Sequence, residues 1–139
     1  MKKKQLIVIP AYQPLESLVP LTKEIFEIFE NVLVIDDGGQ EKYAHIFKQL
    51  DEMGAIIVTH AINQGKGRAL KSAINYCLLH PEVCQAGIIT VDADGQHRPA
   101  DISKIADKVY KFTNCTEAGY MYRGELLEES YLSYGIYGI

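Results

Sequence analysis

Cysteine is scarce in this chain and has no pairing pattern. The three present, Cys77, Cys84 and Cys115, are odd in number and make no Cys-x-x-Cys spacing. That fits a reducing, cytoplasmic setting better than a disulfide-stapled secreted scaffold. Long apolar runs are missing too, because no segment approaches the roughly 20 residues of a transmembrane helix. The basic start Met1-Lys2-Lys3-Lys4 imitates the first part of a secretory signal, but the run Leu6-Ile7-Val8-Ile9 is cut by Pro10 and is too short to complete one. There is no basic excess: 14 Lys and Arg stand against 18 Asp and Glu, for a net charge of −4. Nothing advertises nucleic acid as a partner, and an anionic ligand has to be held by local geometry rather than by overall charge. Internal repeats at solenoid periods are absent as well.

What remains is an ordinary globular composition, 47% hydrophobic and 23% charged over 139 residues. One domain with its own core is expected, without help from disulfides or a structural metal. Short β-branched runs alternate with helical spacings. Leu6–Ile9, Val32–Ile35, Ala55–Thr59 and Ala86–Val91 are apolar at successive rather than alternate positions, as in strands buried on both faces of a parallel sheet. Between them, Leu18, Leu21, Ile25 and Ile28 fall three or four apart, with Pro20 in the first turn, where proline is tolerated. Tyr43, Ile46 and Leu50 mark a second helix; Ala69, Ala73, Ile74 and Cys77 a third; Ile102, Ile105 and Val109 a fourth. The β-α order predicts an α/β fold with a mainly parallel sheet flanked by helices. The pattern stops near Lys111, so residues 1–111 read as one unit and 112–139 as a tail of different character. In that tail Leu126-Leu127-Glu128-Glu129 suggests at most a short helix, and five tyrosines stand out: Tyr120, Tyr122, Tyr131, Tyr134 and Tyr137.

Ligands of open α/β sheets bind beyond the carboxyl ends of the strands. All four predicted strands end in unusual connectors: Pro10-Ala11-Tyr12-Gln13-Pro14, Asp36-Asp37-Gly38-Gly39, His60 through Arg68, and Asp92-Ala93-Asp94-Gly95-Gln96-His97. Asp92 and Asp94 are two apart, so at a strand end their Cα atoms lie ~7 Å apart on one side. Oxygen ligands placed so suit Mg²⁺ or Mn²⁺; a solvated Asp-Gly turn is the alternative. An EF-hand is excluded, since the sixth position counted from Asp92 is His97 and the twelfth is Ser103. Gly65 and Gly67 allow close backbone approach, with Lys66 and Arg68 adding charge at a helix N-terminus where anions are favoured; a plain helix cap is the alternative. The segment is neither a Walker A loop nor a dinucleotide fingerprint, the latter requiring glycine where Leu70 stands. Asp36-Asp37 puts one carboxylate where a base N–H or sugar hydroxyl could donate to it, or else caps the next helix. Tyr12 stacks on a base or covers the sheet end. His97 is the one histidine beside the carboxylates, His45 is expected at the surface, and His60 and His80 have no partner legible in the sequence. The cysteines are read as small core residues.

Together these segments resemble the family 2 glycosyltransferases of the GT-A fold, and most of all the branch that makes polyprenyl-phosphate sugars. The resemblance is carried by Ile7-Val8-Ile9-Pro10-Ala11-Tyr12, Val34-Ile35-Asp36-Asp37-Gly38, Asn63-Gln64-Gly65-Lys66-Gly67-Arg68-Ala69-Leu70 and Val91-Asp92-Ala93-Asp94-Gly95-Gln96-His97-Arg98-Pro99, and it covers residues 6–111. It implies a Rossmann-like nucleotide-sugar-binding half whose acceptor half is missing. It also implies a pocket lined by Pro10, Ala11 and Tyr12, with Asp37 on the base and Gly65 and Arg68 on the base and diphosphate side. Asp92 would lie near the ribose, and Asp92, Asp94 and Gln96 would form the Mg²⁺ or Mn²⁺ site. No catalytic residue is identified beyond that metal site. The implied reaction transfers a sugar from a nucleotide-sugar donor to a lipid phosphate at a membrane surface, by a cytoplasmic or peripheral enzyme. A phosphate acceptor is already anionic and needs no strong base, whereas a hydroxyl acceptor would.

Two departures touch the pocket: Gln13-Pro14-Leu15-Glu16 delays the acid that usually follows Pro-Ala-Tyr, and Gly39 stands where Ser is usual. The missing acceptor half supports an alternative, a truncated, inactive module that binds nucleotide-sugar. A nucleotidyltransferase is a further alternative, but it would show a glycine-rich loop after the first strand, where this chain has Pro10-Ala11-Tyr12. An open sheet edge is expected to be covered by the tail, by a second copy or by a partner chain.

Overall fold

The computed structural model describes residues 1–113, 121–123, 125–127 and 136–138, with side chains up to Lys108. Val109 as a core position, Cys115, Glu128-Glu129 and the five tail tyrosines as side chains lie outside the described residues. Strand β1 spans Lys3–Ala11, helix α1 Leu18–Ile28, β2 Phe29–Asp37, α2 Ala44–Glu52, β3 Ile56–His60, α3 Lys66–Leu79, β4 Ile88–Thr90 and α4 Pro99–Thr113. Three short strands follow, β5 at Met121–Arg123, β6 at Glu125–Leu127 and β7 at Ile136–Gly138.

The sheet order is β3-β2-β1-β4-β7-β5-β6, parallel throughout except for the β5–β6 pair. This is the mainly parallel, helix-flanked sheet of a GT-A, Rossmann-like fold. The successive apolar residues have the expected cause. Ile7, Ile9, Val32 and Val34 face one core with residues of α1, α2 and α4. Leu6, Val8, Leu33 and Ile35 face the other, closed by Ala69, Ala73 and Cys77 of α3. A strand that alternates between two dry faces has no polar face to show. Pairing of the short β4 runs past its ends: the Leu6 N–H donates to the Gly87 carbonyl and the Val91 N–H to the Val8 carbonyl, each at 2.9 Å.

One feature departs from the sequence reading. Leu126 and Leu127 are extended in β6, where Leu127 opposes Met121 and Leu126 opposes Tyr122. Periodicity cannot tell helix from strand in so short an apolar run. Beside β4, β7 from the tail pairs in parallel, Ile88 opposite Ile136. Docking on the sheet was one of the expected fates of that segment. Burial of Cys77 in the α3 core, with Cys84 beside it, pushes its thiol up to about 12, so it is an inert core residue. Among the described residues no helix is long and apolar enough to cross a membrane.

Candidate functional site

Parallel pairing in the order β3-β2-β1-β4 brings all four predicted connectors to one edge of the sheet. β1 has β2 on one side and β4 on the other, so the chain reverses its winding direction between β1 and β4. Crevices open at such a switch point. A cleft of about 220 Å³ lies there, lined by Pro10, Tyr12 and Leu15 on one side and by Asp92 and Asp94 on the other. Tyr12 is half exposed, and its ring lies against Gly38, so it stands between this cleft and a second depression over Asp36 and Gly39. Ala11 is buried beneath them as the last residue of β1.

Asp92 is held from two sides. Lys66 Nζ lies 2.6 Å from its Oδ1, and His97 Nε2 lies 3.6 Å from its Oδ2. Lys66 is the first residue of α3, so the lysine and the helix N-terminus present positive charge together at the cleft. Asp94 is exposed and accepts the Gln96 backbone N–H at 3.1 Å, which folds the turn over Gly95. Among the described residues, no three His, Cys, Asp or Glu side chains converge to hold a metal by themselves. Two hard carboxylates with open surroundings nevertheless fit Mg²⁺ or Mn²⁺ of the kind that completes its shell with substrate phosphates and water. Asp92, Asp94 and Gln96 are the residues that could hold it. Arg68 is exposed in the first turn of α3.

The two adjacent carboxylates on β2 have opposite fates. Burial pushes Asp36 up, and the neighbouring Asp37 charge adds to the effect against the Gly39 N–H, which donates to Asp36 Oδ1 at 3.0 Å. This is a turn contact, and Asp36 caps no helix. It also explains Gly39: φ there is +51°, and a Cβ would stand 3.2 Å from the His60 carbonyl oxygen, so the serine usual in this position would be strained. Asp37 is more deeply buried, yet its carboxyl is held below the usual range: burial raises it, and hydrogen bonds from His60, Gln64 and Gly65 outweigh the burial. Those three bonds leave at most one of about four acceptor positions for a base N–H.

Sequence reasoning missed His60, which is 7% exposed and joins Asp37 at 2.8 Å to Ser72 at 2.7 Å. The signal was available. Leu33 and Ile35 extended by two reach Asp37, Ile56 and Val58 extended by two reach His60, and both series face α3. His45 is at the surface beside Glu16, as expected, and His80 stacks on Tyr76 with ring centroids 4.3 Å apart.

The model of the glycosyl transferase family 2 matches residues 6–130, past the 111 at which the sequence motifs stop. The chain is similar to an uncharacterised protein of Methanocaldococcus jannaschii, 36% identical over 110 residues, which are 78% of this chain and 42% of the relative. A second uncharacterised protein of that organism is 25% identical over 105 residues, 73% of this chain and 45% of the relative. The UDP-N-acetylglucosamine–dolichyl-phosphate N-acetylglucosaminyltransferase of Methanococcus voltae is 25% identical over 118 residues, 74% of this chain and 46% of the relative. The chain thus spans less than half the length of each of these curated relatives. No solved structure matches it. With the family model covering most of its length, over the same strand ends that build the cleft, the chain belongs to the glycosyl transferase family 2.

Proposed function

We propose that this chain holds a nucleoside-diphosphate sugar at the β1–β4 cleft, together with Mg²⁺ or Mn²⁺, for transfer of the sugar to a lipid phosphate at a membrane surface. The observation that carries the reading is the juxtaposition at one cleft of Asp92, Lys66 and the α3 N-terminus, opposite Tyr12. Tyr12 stacks on the base over Pro10 and Ala11. Asp37 has one acceptor position to offer the base. Gly65 and Arg68 shape the diphosphate side, where the helix N-terminus and Lys66 favour negative charge. Asp92, nearer the ribose, and Asp94 with Gln96 hold the divalent ion. That ion supplies charge stabilisation to the departing diphosphate. An acceptor phosphate is an anion at neutral pH and attacks without a strong protein base.

The lipid-phosphate class rests on the likeness to the Methanococcus voltae enzyme, whose name includes dolichyl phosphate. A second reading is a module that holds the donor and transfers nothing, since every described site residue serves the donor side. Titrating UDP-, GDP- and ADP-sugars by calorimetry, with and without Mn²⁺, tests donor binding. Transfer to a polyprenyl phosphate, measured beside donor hydrolysis, separates the two readings. Little or no transfer by the chain alone is expected, and robust transfer by a purified monomer would refute that.

A further inference from the structure

Behind the donor edge lies a buried polar cluster, Asp37, His60 and Ser72, whose contacts go beyond the one acceptor position offered to the base. Asp37 ends β2 and His60 ends β3; the two are register partners, with side chains 4% and 7% exposed. His60 Nδ1–H donates to Asp37 Oδ1 at 2.8 Å, and Ser72 Oγ, in the second turn of α3, lies 2.7 Å from His60 Nε2. Asp37 Oδ1 also accepts the Gln64 N–H at 2.8 Å, and Oδ2 accepts the Gly65 N–H at 2.9 Å.

Two consecutive N–H groups forked onto one carboxylate fix the orientation of the peptide between them. The next backbone angle is Gly65 φ at +89°, and the residue after it is Lys66, whose ammonium reaches Asp92. The carboxylate therefore sets where α3 begins. His60 in turn fixes the carboxylate, whose remaining freedom is rotation about its own side-chain bonds. The Ser72 hydroxyl satisfies Nε2 in either protonation state, donating to a neutral ring and accepting from a cationic one.

We propose that Asp37 and His60 are positioning residues of the donor site. They clamp residues 61–65 so that the α3 N-terminus and Lys66 face the diphosphate, and it is through that loop that they act on the diphosphate. This rests on the donor-site reading given above. The Ser72–His60–Asp37 order is also that of a nucleophile relay. A relay, however, needs N–H groups open to a developing oxyanion, and the nearby N–H groups of Gln64 and Gly65 are already bonded to Asp37.

Isosteric variants of the full chain provide the test. Asparagine places its amide nitrogen near the position of His Nδ1, and glutamine places its own near Nε2, so His60→Asn keeps the bond to Asp37 and His60→Gln loses it. Amide hydrogen exchange at Gln64 and Gly65 reads the clamp, and calorimetry with UDP and GDP plus Mn²⁺ reads the site. In His60→Gln, exchange at both amides is expected to quicken about tenfold or more and diphosphate affinity to fall by a similar factor, while exchange in β1 stays as in wild type. His60→Asn restores both. Unchanged exchange at Gln64 and Gly65 in folded His60→Gln overturns the clamp, and quickened exchange with undiminished affinity overturns its role in positioning. Wild type that binds neither diphosphate sinks the donor reading, and the positioning role with it, while exchange still reports on the clamp itself. If His60→Gln does not fold, Ser72→Ala, which removes the hydroxyl that holds His60 Nε2, is measured in its place and the same outcomes decide.

Discussion

Lys66 and Asp92 join the first residue of α3 to the connector after β4 through a 2.6 Å contact across the mouth of the cleft. The lysine therefore sits where a divalent ion bound by Asp92 would also seek oxygen, and where a diphosphate would seek a cation. Both partners are partly exposed, 55% for the lysine and 35% for the aspartate. Replacing Lys66 by Met is expected to weaken nucleoside diphosphate binding while raising the affinity of the chain for Mn²⁺ alone. An exposed pair is worth roughly 0.2–1 kcal/mol, so the gain in Mn²⁺ affinity is about fivefold at most. Mn²⁺ titration of the nucleotide-free variant checks it, and weaker Mn²⁺ binding would show that the lysine orders Asp92 rather than competing for it.

Asp94 differs from Asp92 in being exposed and in serving only the turn to Gln96 among the described contacts. Asp94→Asn should therefore leave the melting temperature within a few degrees of wild type and remove most of the metal dependence of diphosphate binding. The wild type should bind diphosphate only weakly without Mg²⁺ or Mn²⁺, because Asp92, Asp94 and the ligand repel one another. Calorimetry showing equal wild-type affinity with and without metal would sink the metal site.

Asp36 and Asp37 should shift stability in opposite senses with pH. Asp37 is held below its ordinary value, so its contribution is present above the unfolded value of 3.8 and is lost as pH falls through the folded one. Asp36 is raised, so its contribution is present below 3.8 and is lost as pH rises through its folded value. At pH 7, Asp37→Asn is expected to cost about 1.5–3 kcal/mol, because an amide replaces the ionised carboxylate that accepts from His60, Gln64 and Gly65. Asp36→Asn is expected to be neutral or stabilising there. Both differences from wild type should shrink as pH falls, that of Asp36→Asn at a higher pH than that of Asp37→Asn. Melting curves between pH 2 and 7 decide it.

The parts of this molecule legible in the sequence are those set by two-sided burial. Ile7 and Val8, Val34 and Ile35 announce a parallel sheet because neither face of it meets water. Strand polarity then carries Tyr12, Asp37, Gly65 and Asp92 to one edge without further information. Polar contacts between elements were harder to read, since they show only when the face of each strand is followed to its end. Gln5, just before the apolar run of β1, is 4% exposed, and its side-chain amide donates to the Ala106 carbonyl of α4 at 3.0 Å. His60 reads as a loop residue because its partners Asp37 and Ser72 are remote in sequence and meet it only through register and helix docking. The short strands β5 to β7 were hidden for a different reason, since three-residue strands are too brief to show an alternation.

Gly65 isolates backbone conformation from packing. Its φ is +89°, and a Cβ added there would meet nothing within 4 Å. Gly65→Ala therefore introduces no clash, only the strain of a side chain in a region that L residues avoid, about 1–3 kcal/mol. If that strain is relieved by turning the 64–65 peptide, the bonds from Gln64 and Gly65 to Asp37 are lost and Lys66 moves off Asp92. Diphosphate affinity should then fall about tenfold or more, with a modest drop in melting temperature. Gly67→Ala, equally open but inside α3 at an ordinary helical φ, is the control and should leave the melting temperature unchanged or slightly higher, since alanine favours the helix. Equal diphosphate affinities for the two variants would show that the left-handed turn at Gly65 has no part in presenting α3 to the cleft.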